Sequence, residues 1–177
     1  MRLFLAIDLP EKTKRELQKL LDPLQKEYPY FSWVPPINYH ITVQFLGECT
    51  DKDEVINRIE KSIFETKPFY MYASSTDLFI NYKITLFVSF QREKNLEAMV
   101  KRLEDEFKIE DGKRYIPHLT FARYKIPSKQ QYYLIKKKIE NLEIDLQFPV
   151  DKIYLYESIL TNKIPRYNKI KEFMLIS

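Results

Sequence analysis

The sequence predicts an α+β fold with antiparallel sheets, and three observations carry that reading. Four amphipathic stretches at helical spacing alternate irregularly with about eight strand-like segments. Several neighbouring strand segments are joined by connections too short for a parallel crossover. Two strands repeat one His-apolar-Thr pattern nearly half a chain apart, each with helices before and after it, as two lobes meeting across a groove require. At 177 residues and 45% hydrophobic, the chain can bury a sizeable core. No stretch is long, polar and structureless enough to be a linker, so residues 1–177 are expected to form a single two-lobed domain.

Arg2–Asp8 is a strand, because Leu3, Phe4, Leu5, Ala6 and Ile7 form the near-continuous apolar run of a buried position, and Pro10 ends it. Leu17, Leu20, Leu21, Leu24 and Tyr28 then fall at the 3/4 spacing of a helix. Phe31–Val34 is a short extended piece, stopped by Pro35-Pro36. In Tyr39–Leu46, Ile41, Val43 and Phe45 alternate with His40, Thr42 and Gln44 as a half-polar strand. Thr50 and Asp53 resemble a helix start before Val55, Ile56, Ile59 and Ile63. Pro68–Ser75 and Ile84–Phe90 are strands around a turn at Asn81-Tyr82-Lys83, and Leu96, Met99, Val100, Leu103 and Phe107 mark a third helix. After a loop at Asp111-Gly112 comes the strand His118–Tyr124. Ser128 and Gln131 form a capping-box pattern ahead of a fourth helix bearing Tyr132, Ile135, Ile139 and Leu142. Strands at Ile144–Val150, Lys152–Leu160 and Tyr167–Ile176 close the chain.

Composition removes several function classes. With two glycines, the chain cannot build a Gly-rich phosphate loop, so any phosphate site must use side chains. One cysteine, Cys49, and two histidines cannot close a four-ligand Cys/His zinc site or form an internal disulfide. Asp8 interrupts the N-terminal apolar run too early for a signal peptide or a membrane span, so a cytoplasmic protein without membrane association is expected. The net charge of +4 favours anionic partners without requiring them, and abundant lysine with scarce glycine equally suits a heat-stable surface.

His40-Ile41-Thr42 and His118-Leu119-Thr120 share one pattern although the chain has only eight threonines. Side chains at i and i+2 share a strand face, so each motif projects an imidazole and a hydroxyl together while apolar neighbours pack behind. A two-fold arrangement would oppose the imidazoles. One could then hold a proton as general acid and the other accept one from water, while the hydroxyls donate to phosphoryl oxygens, which suits in-line displacement at a phosphodiester. Either histidine alone would more often be a hydrogen-bonded structural residue, and the repetition argues against that. A divalent metal held by both histidines is disfavoured, since threonine is a poor neutral ligand and neither motif supplies an adjacent carboxylate; no metal or other cofactor is expected.

At these residues the sequence resembles the 2H phosphoesterase superfamily, specifically the RNA 2′,3′-cyclic phosphodiesterases, also called 2′-5′ RNA ligase-like proteins. Beyond the two HxT motifs, the resemblance includes Arg2-Leu3-Phe4-Leu5-Ala6-Ile7, Trp33-Val34-Pro35, Phe45-Leu46-Gly47-Glu48, Pro117 to Arg123, and Ile153 to Ser158, nearly the whole chain. It implies two pseudo-symmetric lobes, each an antiparallel sheet with helices packed outside, around a central cleft. It also implies metal-independent hydrolysis of RNA-terminal or nucleotide 2′,3′-cyclic phosphate to 2′-phosphate, with 2′-5′ ligation as a related reaction of the same histidines. His40 would protonate the departing 3′ oxygen and His118 would activate water. Thr42 and Thr120 would bind phosphate oxygens, and Arg123 would add positive charge at the phosphate. The different-class alternative is a noncatalytic RNA- or nucleotide-binding module using the same cleft. No obligate protein partner is implied.

Two departures stand out. Gln44 occupies a position that often carries lysine, and the final hairpin from Thr161 to Tyr167 lacks the usual glycine. Strict alternation would send Arg123, five residues after His118, to the opposite face, unless a bulge redirects it; bracing the strand by an ion pair is its competing role. Gln44, Tyr39, Tyr115 and the basic Lys113-Arg114 are possible RNA contacts, although most of the 13 Tyr and 12 Phe must be core or strand residues. Lys136-Lys137-Lys138 is expected to be a solvated helix face and Cys49 a passive thiol.

Overall fold

The first apolar run forms β1 (Arg2–Asp8) with Leu3 through Ile7 all buried, which places it centrally in a sheet. A computed structural model describes residues 1–176, and in it the helical spacings become α1 (Glu11–Glu27), α2 (Lys52–Ile63), α3 (Lys94–Phe107) and α4 (Lys129–Glu140). The remaining strands are β2 (Ser32–Trp33), β3 (His40–Glu48), β4 (Phe69–Ile80), β5 (Ile84–Phe90), β6 (His118–Tyr124), β7 (Gln147–Val150), β8 (Lys152–Ile159) and β9 (Arg166–Met174). A short 3-10 turn, Pro36–Asn38, leads into β3.

The strands make two antiparallel sheets, one in the order β3-β1-β8-β9 and the other in the order β2-β6-β5-β4-β7. Each histidine strand pairs with the strand that begins its own β-α-β-α unit: β1-α1-β3-α2 in one lobe and β5-α3-β6-α4 in the other. The first sheet is completed by the C-terminal hairpin β8-β9, so neither lobe is one unbroken stretch of chain. Buried side chains of both sheets and all four helices join one hydrophobic cluster. Between the lobes α2 meets α3, where Arg58 donates to the Glu106 carboxylate and carbonyl and covers the Phe107 ring. Among the described residues no helix is long and apolar enough to cross a membrane.

Several boundaries differ from the sequence expectation for identifiable reasons. The cap of α2 is Asp51, whose carboxylate accepts from the Glu54 amide at 3.0 Å. The Ser128 and Gln131 capping box of α4 forms as expected. Strand β4 runs on to Ile80 instead of ending at Ser75, because its serines form a bulge: pairing with β5 shifts between Ala73 and Ser75, and Ser74 donates to the Ser89 carbonyl at 3.1 Å. That extension brings the Phe79 ring to a centroid distance of 6.3 Å from the His118 imidazole. Strand β7 is shorter than expected, starting at Gln147, where pairing with Tyr72 begins.

Candidate active site

The two histidine strands share a defect as well as a motif. Along β3, Thr42 lies opposite Ala6 and Gln44 opposite Leu5, so Val43 is an extra residue; along β6, Thr120 lies opposite Phe87 and Ala122 opposite Leu86, so Phe121 is extra. In both lobes the bulge follows the threonine immediately. An extra residue reverses the facing of everything after it. Phe121 and Ala122 are therefore both buried, and Arg123 returns to the face of His118 and Thr120. In β3 the same device returns Phe45 to the face of His40 and Thr42, leaving it 68% exposed. Phe45 and Arg123 thus occupy equivalent positions of the two lobes, one apolar and one cationic.

His40, Thr42, His118, Thr120 and Arg123 all line one cleft of about 640 Å³ between the sheets. Each imidazole is held in the same way: Nδ1–H of His40 donates to the Asn38 carbonyl at 2.7 Å, and Nδ1–H of His118 donates to the Ile116 carbonyl at 2.8 Å. Both acceptors lie two residues before their histidine. With Nδ1 occupied, Nε2 is the ring nitrogen available for proton transfer. The rings are also braced laterally, His40 by Phe4 and Tyr167 and His118 by Phe87 and Phe79.

The charges in the cleft are of one sign. Arg2, Lys83 and Arg123 line it, and among the described residues no carboxylate does. Imidazole, hydroxyl and guanidinium donors converging without a carboxylate suit a phosphoryl group rather than a cation. Burial holds His40 below the ordinary imidazole value; hydrogen bonding to Asn38 and the Asp8 charge oppose that shift, and Arg123 and His118 add to it. Asp8 itself is paired with Lys14 and Lys169, both at 2.7 Å. Arg123 lines the cleft and makes no salt bridge or side-chain hydrogen bond among the described residues.

The remaining sequence candidates divide. Tyr39 is not at the cleft: it is 3% exposed in the hydrophobic core, where burial pushes its hydroxyl up to about 12. Alternation explains this, since the residue beside an inward-facing histidine must face the other way. Tyr115 donates its hydroxyl to the Thr42 carbonyl at 2.9 Å, tying the segment before β6 to the opposite lobe's motif strand. Gln44, Tyr115, Lys113 and Arg114 line a side cavity that opens off the cleft. Lys138 pairs with Glu27 and Lys136 with Glu140, the solvated face that the spacing predicts. Cys49 is a free thiol whose burial raises its pKa.

Several cleft residues had no motif to announce them. Phe79, Tyr82 and Lys83 reach it from the end of β4 and from the β4-β5 turn. The final hairpin contributes Leu160, Pro165 and Tyr167, drawn in by Asn38, whose amide donates to the Pro165 carbonyl at 2.9 Å.

The family model described as the 2′-5′ RNA ligase superfamily matches residues 9–161. A Methanocaldococcus jannaschii protein named RNA 2′,3′-cyclic phosphodiesterase is 35% identical, covering 98% of this chain and all of that one. A Thermotoga maritima protein of the same name is 27% identical over 97% of this chain and 94% of its own. Among solved structures, a Thermus thermophilus protein superposes with a TM-score of 0.72 at 27% identity, over 99% of this chain and 98% of that one. Escherichia coli LigT complexed with 3′-AMP superposes with a TM-score of 0.77 at 19% identity over the same shares, a likeness of fold.

Proposed function

The chain belongs to the 2′-5′ RNA ligase superfamily, and from that membership we propose that it hydrolyses RNA-terminal or nucleotide 2′,3′-cyclic phosphates to 2′-phosphates, in the cytoplasm and without a metal. The observation that carries the reading is the pair of identically tethered imidazoles in a cleft whose charged groups are all cationic. Both lobes act as one unit across residues 1–177, each supplying half of the acid–base pair.

In hydrolysis, His118 Nε2 takes a proton from water as the water oxygen bonds to phosphorus. The bond from phosphorus to the 3′ oxygen breaks, and that oxygen takes the proton from His40 Nε2. The product carries a 2′-phosphate and a free 3′-hydroxyl. Thr42 and Thr120 hold the non-bridging oxygens, and Arg123 neutralises the charge they accumulate. Burial favours neutral His40 in the empty cleft, and an arriving phosphate anion favours its protonated form. A 5′-hydroxyl in place of water would give a 2′-5′ linkage with the same proton transfers.

The test uses a short RNA ending in 2′,3′-cyclic phosphate, incubated with protein in excess EDTA and resolved against 2′- and 3′-phosphate standards. A 2′-phosphate product that disappears with His40→Ala and with His118→Ala is expected. RNA binding without turnover at any pH near neutrality would overturn the reading.

A further inference from the structure

We propose that Asp8, set directly opposite His40, is the positioning residue that makes the two tethered histidines unequal and assigns His40 the part of the acid. This rests on the phosphodiesterase reading of the cleft and adds what orders its proton transfers.

The two lobes match position by position along their paired strands. Thr42 and Thr120 lie opposite Ala6 and Phe87, Gln44 and Ala122 opposite Leu5 and Leu86, and the two histidines opposite Asp8 and Ser89. One imidazole is therefore paired in register with a carboxylate and the other with a neutral hydroxyl. Directly opposite residues of an antiparallel pair share a sheet face, with Cβ atoms about 4.5–5.5 Å apart. His40 and Asp8 accordingly line one further cavity, of about 450 Å³. His40 Nδ1 is spent on the Asn38 carbonyl, so Asp8 acts on the ring through its charge.

The carboxylate is fixed where it stands. Its side chain is 13% exposed and its oxygens meet Lys14 Nζ and Lys169 Nζ, the Lys14 side chain being itself only 5% exposed. The other charges around His40 are nearly all cationic. Arg2, Lys83 and Arg123 line the cleft, with His118 as the second imidazole, and Lys14, Arg166 and Lys169 line the further cavity. Glu11 is the exception, a largely exposed carboxylate paired with Lys14. Burial raises the Tyr39, Tyr156 and Tyr167 hydroxyls, so these neighbours stay neutral. Among the described residues of the two cavities, Asp8 is thus the one buried negative charge beside His40. Burial holds His40 down, and after the Asn38 hydrogen bond it is the Asp8 charge that opposes this and favours the protonated ring. A ring kept protonatable in this way can give its proton to the departing oxygen.

The experiment titrates the His40 Cε1–H resonance by NMR in wild type and in Asp8→Asn; the chain has two histidines, and His40→Ala assigns the signal. The midpoint should fall by about one pH unit in Asp8→Asn, the lower end of what a neighbouring opposite charge does. Hydrolysis of adenosine 2′,3′-cyclic phosphate is then compared at pH values well above and well below both histidine midpoints. An acid that gives up its proton more readily lowers kcat/KM about 10-fold at the alkaline end and leaves the acidic end unchanged. An unmoved midpoint would overturn the proposal. So would an equal loss at both ends, which marks a structural effect, or a gain confined to the acidic end, which marks His40 as the base. If Lys14, buried without its partner, keeps Asp8→Asn from folding, the same comparison is made between Lys14→Met and Asp8→Asn/Lys14→Met, in which no buried cation is stranded. If wild type hydrolyses no cyclic phosphate, the phosphodiesterase reading fails by itself. The NMR midpoint then decides alone: its fall in Asp8→Asn supports the hold of Asp8 on His40, and no change refutes it.

Discussion

Replacing Arg123 by alanine separates a phosphate contact from a structural brace, because the two roles predict opposite pairs of results. The side chain is exposed in the cleft and makes no salt bridge or side-chain hydrogen bond among the described residues. Removing it should therefore leave folding stability within about 0.5 kcal/mol of wild type, as for surface positions without partners. A charge-assisted hydrogen bond to a phosphoryl oxygen contributes about 1.5–3 kcal/mol, and at about 1.4 kcal/mol per factor of ten its loss lowers kcat/KM about 10- to 150-fold. Because charge on the non-bridging oxygens grows toward the transition state, part of the loss should appear in kcat as well as KM. Arg123→Lys should recover part of it, keeping the charge and losing the planar fork. The assay is steady-state hydrolysis of a cyclic phosphate at low and moderate salt, with urea denaturation of the same preparations. A stability loss above about 1 kcal/mol with kcat/KM unchanged would refute both the phosphate role and the bulge argument that turns Arg123 toward the cleft.

Four further outcomes are expected. His40→Ala and His118→Ala should each lower kcat about 10²- to 10⁴-fold while melting normally, and the double variant should cost far less than the product of the two, since the pair acts as a unit; full additivity would argue against paired acid–base work. Rate against pH should be bell-shaped and unchanged by EDTA; with His40 as the acid, free-enzyme kcat/KM falls as pH rises through its lowered pKa, so the alkaline limb lies on the low side of the ordinary imidazole value. The same shift makes a stability prediction: between the folded pKa of His40 and the ordinary value near 6.5 the unfolded chain holds more protons, so stability falls as pH drops through that window, and His40→Gln should remove this component in urea titrations. Asn38→Ala should free the final hairpin by removing its bond to Pro165, worth about 0.5–1.5 kcal/mol, and raise KM about 2- to 10-fold with kcat little changed.

What the sequence made legible followed from periodicity. Alternation in Tyr39–Leu46 and His118–Tyr124 fixed both strands and put each imidazole beside its hydroxyl, and helical spacing located all four helices. The same rule, applied strictly, excludes Tyr39 from the cleft, because it adjoins His40 and must face the core. The bulge at Val43 was hidden, and the one at Phe121 entered only as a condition for Arg123 to face the cleft, for a different reason. A bulge is a property of two paired strands, and neither β3 nor β6 records in its own residues how β1 or β5 will align with it. Phe79 was hidden similarly, since its place depends on β4 continuing past Ser75 through a bulge.

The two lobes solve the same local problem and then diverge where divergence is useful. Acid–base catalysis at a phosphodiester needs two proton-transfer groups of like kind on opposite sides, and repeating one tethered-imidazole strand supplies them. A substrate, by contrast, has two unlike ends, and a symmetric cleft could not distinguish them. Symmetry is kept through His, Thr and the bulged residue and abandoned two positions later, at Phe45 and Arg123. Exchanging these two side chains, Phe45→Arg with Arg123→Phe, keeps the composition of the cleft while reversing its polarity. If the asymmetry orients the substrate, the exchange should retain binding of inorganic phosphate and lower kcat/KM on a 2′,3′-cyclic phosphate. An unaltered kcat/KM in the exchanged protein would mean that polarity resides elsewhere in the cleft.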